Sequence, residues 1–149
     1  MKRMFVMGCL LAAVSTWTAC SHSKSATGAT SNATSENPSL LYDKDWRLVS
    51  MQGELVDTAG MHRIPAIRFG KSDHRVSGNG GCNGMGGTFT VTGDKLHFSP
   101  LISTKMACPN LDVENKYFKL LDQATRFEVS EGRLELFNDS GSILLFANP

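Results

Sequence analysis

Residues 78–89 read GNGGCNGMGGTF. Six of the ten residues 78–87 are glycine, a density that raises three readings: a phosphate-cradling loop, a redox site, or a turn that only glycine makes. A P-loop needs G-x-x-x-x-G-K-[ST], and no Lys follows these glycines. A dinucleotide loop needs G-x-G-x-x-G opening a helix. Here Gly78-Asn79-Gly80 is followed by Asn83 at the position of the third glycine, and the residues beyond alternate like a strand. The glycines therefore serve positive-φ backbone or let another strand pass closely. The stretch is expected to be a turn that delivers Cys82.

Downstream, residues 88–92 alternate, with Phe89 and Val91 on one face. Gly93-Asp94 turns the chain, and residues 95–99 alternate again through Leu96 and Phe98, a hairpin signal. Residues 101–106 read as a further strand leading to Cys108. Upstream, residues 46–51 alternate apart from Val49, and residues 67–69 and 74–77 read as short strands.

After Pro109 the period changes. Val113, Tyr117, Leu120, Leu121 and Ala124 recur at helical spacing and predict one amphipathic helix ending near Thr125. Asn110 or Asp112 is the expected N-cap, and Asp112 and Glu114 suit the positive end of the helix dipole. The remaining acids read as solvated faces. Phe127 and Val129, then Leu134 and Leu136, alternate around a turn at Glu131-Gly132; residues 138–141 turn into a last strand over 142–146. The expected class is α+β: a curled, mostly antiparallel sheet or partly open barrel of about seven or eight strands, with one helix to cover it.

The chain of 149 residues allows one ordinary domain. Its N-terminus reads MKRMFVMGCLLAAVSTWTAC: two cations, then an uncharged apolar run over 4–14. That run is shorter than the about 20 residues a membrane span needs and fits a secretory signal. Thr18-Ala19-Cys20 resembles the lipobox of bacterial lipoproteins, although Trp17 stands where an aliphatic residue is usual. The expected division is a signal peptide over 1–19, a lipidated Cys20 with a polar tether over 20–39, and a domain over 40–149. Export without lipid is the alternative. Residues 21–39 carry no aliphatic larger than Ala, too little apolar surface to offset ordering entropy.

Lys and Arg number 15 against 14 Asp and Glu, a balance with no electrostatic pull toward nucleic acid. Cys9 leaves with the signal and Cys20 is the lipidation site. Cys82 and Cys108 remain, and an even pair in an exported chain reads first as one disulfide. It would close about 27 residues and contribute roughly 3.5 kcal/mol in the loop-entropy account. No C-x-x-C presents a redox dithiol. His62, His74, His97 and the two cysteines show no zinc-site spacing, and His74 and His97 fall at outward strand positions. No G-x-S-x-G marks a nucleophile. No metal, cofactor or catalytic residue is expected.

Gly78-x-x-Gly81-Cys82-Asn83-x-x-x-Gly87-Thr88-Phe89, followed by Thr104-x-Met106-Ala107-Cys108-Pro109 and a helix, resembles the META domain family. The likeness runs over about residues 42–147, from Trp46-x-Leu48 through Phe98 to Leu134-x-Leu136 and Leu144-Leu145-Phe146. It implies a small antiparallel β fold with one helix, often exported or lipid-anchored, with Cys82 paired to Cys108. It further implies links to stress response, antibiotic tolerance or motility, and a structural similarity to lipid- or peptide-binding pilot lipoproteins. It carries over no catalytic residue.

The expected protein is therefore a non-catalytic lipoprotein of the cell envelope, held to a membrane through its N-terminal lipid, with the domain in the periplasm. An envelope protein or a lipid is the expected partner. The alternative is a pilot-like module that holds an acyl chain or apolar peptide between sheet and helix, in a cavity lined by residues such as Phe89, Leu121 and Phe146. An enzyme, the third reading, calls for acids or histidines clustered in a cleft.

Overall fold

A computed structural model describes residues 37–149. The expected signal peptide, Cys20 and most of the tether lie outside the described residues. The described residues open with a 3-10 turn, Pro38–Leu41, in which the Ser39 amide donates to Asn37 Oδ1. Strands β1 (Trp46–Met51), β2 (Glu54–Leu55), β3 (Ala66–Phe69), β4 (Arg75–Asn79), β5 (Gly84–Thr92), β6 (Lys95–Phe98) and β7 (Ile102–Ser103) follow. Then come helix α1 (Leu111–Asp122) and strands β8 (Arg126–Ser130), β9 (Arg133–Asn138) and β10 (Gly141–Ala147).

Eight strands close on themselves in the order β1-β3-β4-β5-β6-β8-β9-β10, every pair antiparallel, and β10 returns to β1. The curled sheet expected from the alternation is thus a closed barrel. Closure removes the two edges that an open sheet would expose. The short strands β2 and β7 lie off the ring, on β1 and β5.

Period-2 alternation sends one side chain in two to the interior. Trp46, Leu48, Ile67, Phe69, Val76, Met85 and Phe89 line it from one half of the barrel, and Leu96, Phe98, Phe127, Val129, Leu134, Leu136, Leu144 and Phe146 from the other. Val49, the exception to the alternation, has a cause. The register of β1 against β10 shifts between Leu48 and Ser50, so Met51, opposite the buried Leu144, takes up the inward face again while Ser50 lies opposite the half-buried Leu145. The first turn, Gln52-Gly53, has φ of 53° and 83°, the pair of positive values a tight two-residue hairpin needs.

The barrel has a plug at each end. At the end where β1 begins, Leu41 is fully buried and its carbonyl accepts from Trp46 Nε1 at 2.9 Å. Phe69 meets Phe89 edge-on at 5.0 Å and stacks with Phe98 at 6.0 Å. Such pairs contribute about 1 kcal/mol each beyond their buried area.

At the other end, helix α1 inserts Tyr117, Leu120 and Leu121. Asn110 is its N-cap, in a left-handed conformation (φ 65°) and without a side-chain capping bond. A helix of 12 residues is marginal alone in water, so its place rests on packing.

The interior is filled. Phe89, Leu121 and Phe146 are 2%, 0% and 1% exposed within one continuous core. A void wide enough for water beside them would raise those values.

One side-chain group in this core, the buried Tyr117 hydroxyl, has no hydrogen-bond partner among the described residues. Burial alone drives its pKa above the range in which it titrates in water. The unfolded chain binds fewer protons than the folded one above the ordinary tyrosine value of about 10. Stability therefore falls with rising pH there, by up to about 1.4 kcal/mol per pH unit from this group. Tyr117→Phe is expected to gain about 1 kcal/mol near neutral pH, since an orphaned hydroxyl costs that much. It should also remove this contribution to the alkaline loss, as read by urea unfolding at pH 8 and pH 11.

Candidate functional site

The turn between β4 and β5 brings the glycine-rich stretch against α1. Only residues 80–83 form the turn; residues 84–87 already belong to β5. Gly81 has φ of 109°, open to glycine but strained for other residues. At Gly78 a Cβ would come within 2.2 Å of the Ala66 carbonyl oxygen on β3, so neighbouring backbone does pass closely, as expected.

The sequence reading missed the residue at the centre of this junction. Glu114, in the first turn of α1, is only 4% exposed, a buried carboxylate where only a partner for the helix dipole was expected. Its Oε2 accepts from the backbone N–H of Cys82 (3.1 Å) and of Asn83 (2.7 Å), and its Oε1 from Asn83 Nδ2 (2.6 Å). Gly80 lies so close that a Cβ would sit 2.3 Å from Glu114 Cγ. A buried carboxylate persists only where donors replace water, and these three do so. One signal was legible: Glu114 lies three residues before Tyr117 and seven before Leu121, on the apolar stripe of the helix.

Asn83 joins a third segment. Its Oδ1 accepts from the Met106 amide at 2.7 Å and from Thr104 Oγ1 at 2.8 Å, and its Nδ2 also donates to the Met106 carbonyl at 3.2 Å. Beside it Cys82 and Cys108 form a disulfide, with Cα atoms 6.3 Å apart. From the other side the Arg63 amide donates to the Gly81 carbonyl, and Arg63 Nη2 to the Cys82 carbonyl at 3.0 Å. Turn 80–83, segment 104–108 and the helix start are thus held by one covalent link and one continuous hydrogen-bond network.

Chemically, this arrangement is a clasp. Glu114 is covered and accepts through both oxygens, which leaves it badly placed as a general base for a substrate. Cys82 is 4% exposed and in disulfide linkage. The histidines do not join the clasp: His62, His74 and His97 are all exposed. Among the described residues no three His, Cys, Asp or Glu side chains come together as a metal-binding group. Segment 101–106, expected as a strand, pairs with β5 only over Ile102–Ser103.

Grooves lie on the outside of the barrel. One, of ≈ 620 Å³, runs over β3, β4 and β5 past Arg68, Arg75, Ser77 and Thr88. A second of ≈ 360 Å³ adjoins it at Gly86 and Ile102. A third of ≈ 420 Å³ lies beside Val49, Leu55 and Ile64.

Three solved structures share this architecture. An NMR structure of a protein from Burkholderia xenovorans is 27% identical, covering 74% of this chain and 85% of its own, with a TM-score of 0.62. A second NMR structure is 23% identical over 74% of this chain and 93% of its own, with a TM-score of 0.59. The crystal structure of a DUF4847 family protein from Bacteroides vulgatus is 18% identical, covering 75% and 96%, with a TM-score of 0.56. The last two speak to the fold alone. No curated protein matches the chain. The family model of the META domain matches residues 39–149, which include the barrel, its clasp and both plugs. The chain belongs to the META domain family.

Proposed function

We propose that this META-domain protein is a non-catalytic lipoprotein of the cell envelope, anchored through Cys20, that serves envelope stress tolerance or maintenance. One observation carries the non-catalytic part. The polar cluster built by the motif residues, Glu114 with Asn83 and the Cys82–Cys108 bridge, is turned inward and bonded to itself. A disulfide is also what an exported domain uses and a cytosolic one seldom keeps. The lipobox-like Thr18-Ala19-Cys20 supports the anchor.

The test combines location and need. Cys20→Ala is expected to abolish incorporation of radiolabelled palmitate and to move the protein from the membrane to the soluble envelope fraction. Deletion is expected to sensitise cells to cell-wall antibiotics, with rescue by the wild type and not by Cys20→Ala. Unchanged membrane attachment of the variant overturns the anchor. Unchanged sensitivity of the deletion overturns the role.

A further inference from the structure

The glycine-rich stretch holds the chain's two Asn-Gly pairs, Asn79-Gly80 and Asn83-Gly84. An asparagine side chain is chemically labile, most of all before glycine. With no Cβ on the next residue, that residue's backbone nitrogen can reach the side-chain carbonyl carbon. The nitrogen attacks Cγ and a C–N bond forms. The side-chain nitrogen leaves as ammonia, taking the proton of the attacking N–H. Water then opens the resulting cyclic imide at either carbonyl. One product is Asp; the other is isoaspartate, whose main chain runs through Cγ. In sum, one amide and one water become one carboxyl and one ammonia, with no oxidant or reductant.

In the closed clasp both reacting groups are engaged. Asn83 is 2% exposed. Its side-chain amide fills all four of its bonding positions. Nδ2 donates to Glu114 Oε1 and to the Met106 carbonyl, and Oδ1 accepts from the Met106 amide and from Thr104 Oγ1. The attacking group, the Gly84 N–H, donates to Thr104 Oγ1 at 3.2 Å. Ring closure therefore has to wait until turn 80–83, segment 104–108 and the start of α1 come apart. Asn79 is less restrained. It is half-buried, and its side chain makes one hydrogen bond among the described residues, from the Gly81 amide at 2.9 Å.

The product does not fit the closed clasp. A carboxylate at position 83 would set an oxygen where Nδ2 now stands, 2.6 Å from Glu114 Oε1. Two like charges would then meet in a buried site. Isoaspartate also lengthens the main chain of the turn by one carbon.

We propose that Asn83 is a deamidation site gated by the clasp. While the clasp is closed, Asn83 persists. When it opens, Gly84 can attack, and conversion keeps the turn from locking back onto α1. Opening thereby becomes a one-way event that leaves a chemical mark on the chain. The site is independent of the anchor at Cys20.

The test ages the full chain in mildly alkaline buffer and follows Asn79 and Asn83 by mass spectrometry of proteolytic peptides. Denatured in guanidinium, the two are expected to convert at similar rates. In the native chain Asn83 should be slower by about a hundredfold or more. Glu114→Ala should speed native conversion of Asn83 about tenfold. Thr104→Val keeps the shape but removes the hydroxyl that holds Gly84 and Asn83; it should speed conversion severalfold, and it serves where Glu114→Ala does not fold. Gly84→Ala, whose Cβ would meet only the Gly78 carbonyl at 3.9 Å, should slow conversion of the denatured chain about tenfold. Asn83→Asp, the Asp product made directly, should lower the thermal midpoint by about 5 °C or more. The proposal is overturned if Asn83 converts as fast in the native wild type as in guanidinium, or if neither clasp variant that folds speeds it. A wild-type thermal midpoint for Asn83→Asp also overturns it.

Discussion

Replacing Cys82 and Cys108 together by serine is expected to lower the unfolding free energy by about 3.5 kcal/mol, the entropy recovered when a loop of this length is freed in the unfolded chain. That is a large share of the about 5–15 kcal/mol typical of such a domain. The barrel should still form, because ring closure between β1 and β10 lies outside the cross-linked loop. Urea unfolding of the variant against the oxidised wild type reads the difference. A loss below about 1 kcal/mol would mean that the bridge does not constrain the unfolded chain in the way the loop-entropy account requires.

Glu114→Ala is expected to cost about 3 kcal/mol. It removes three charge-assisted hydrogen bonds and strands the buried amides of Cys82 and Asn83, a penalty of about 1–3 kcal/mol for each unsatisfied group before relaxation. Glu114→Gln keeps the shape and one accepting oxygen but turns an N–H group toward donors, so it should recover only part of the loss. Both changes act on the same junction as the disulfide. Combined with Cys82→Ser and Cys108→Ser, the loss should therefore fall short of the sum. Simple additivity in urea unfolding would show that bridge and network hold different parts of the molecule.

Much of the fold was legible, for a physical reason. Where one face of a strand is buried, alternation has to appear, as in Trp46 and Leu48 or Leu134 and Leu136. The helix was legible from Tyr117, Leu120 and Leu121, whose spacing fits no strand. Ring closure was not settled beyond a curled sheet or partly open barrel, because alternation says which way a side chain faces and not which strand lies beside it. Strands β2 and β7 have two residues each, too few to show a period. The start of β5 was hidden because Gly84, Gly86 and Gly87 carry no side chain to alternate.

The clasp was half legible. Cys82, Asn83, Met106 and Cys108 stood out as paired motifs. Glu114 did not, because an acid in the first turn of a helix already has an ordinary explanation in the helix dipole. Its second role depends on which loop faces that turn, a tertiary fact. The glycine-rich stretch likewise separates into two kinds of position. Gly78, Gly80 and Gly87 give room to neighbouring groups, whereas Gly84 and Gly86 open onto the surface.

The central claim is that the motif residues lock helix to turn, with Glu114 as the acceptor for the turn's own amides. Amide hydrogen exchange of Cys82 and Asn83 in the native protein tests it most directly. The clasp predicts protection comparable to the barrel strands, exchanging only through wide opening of the molecule. Exchange as fast as at the open turn residues Gly93 and Gly132 would contradict it.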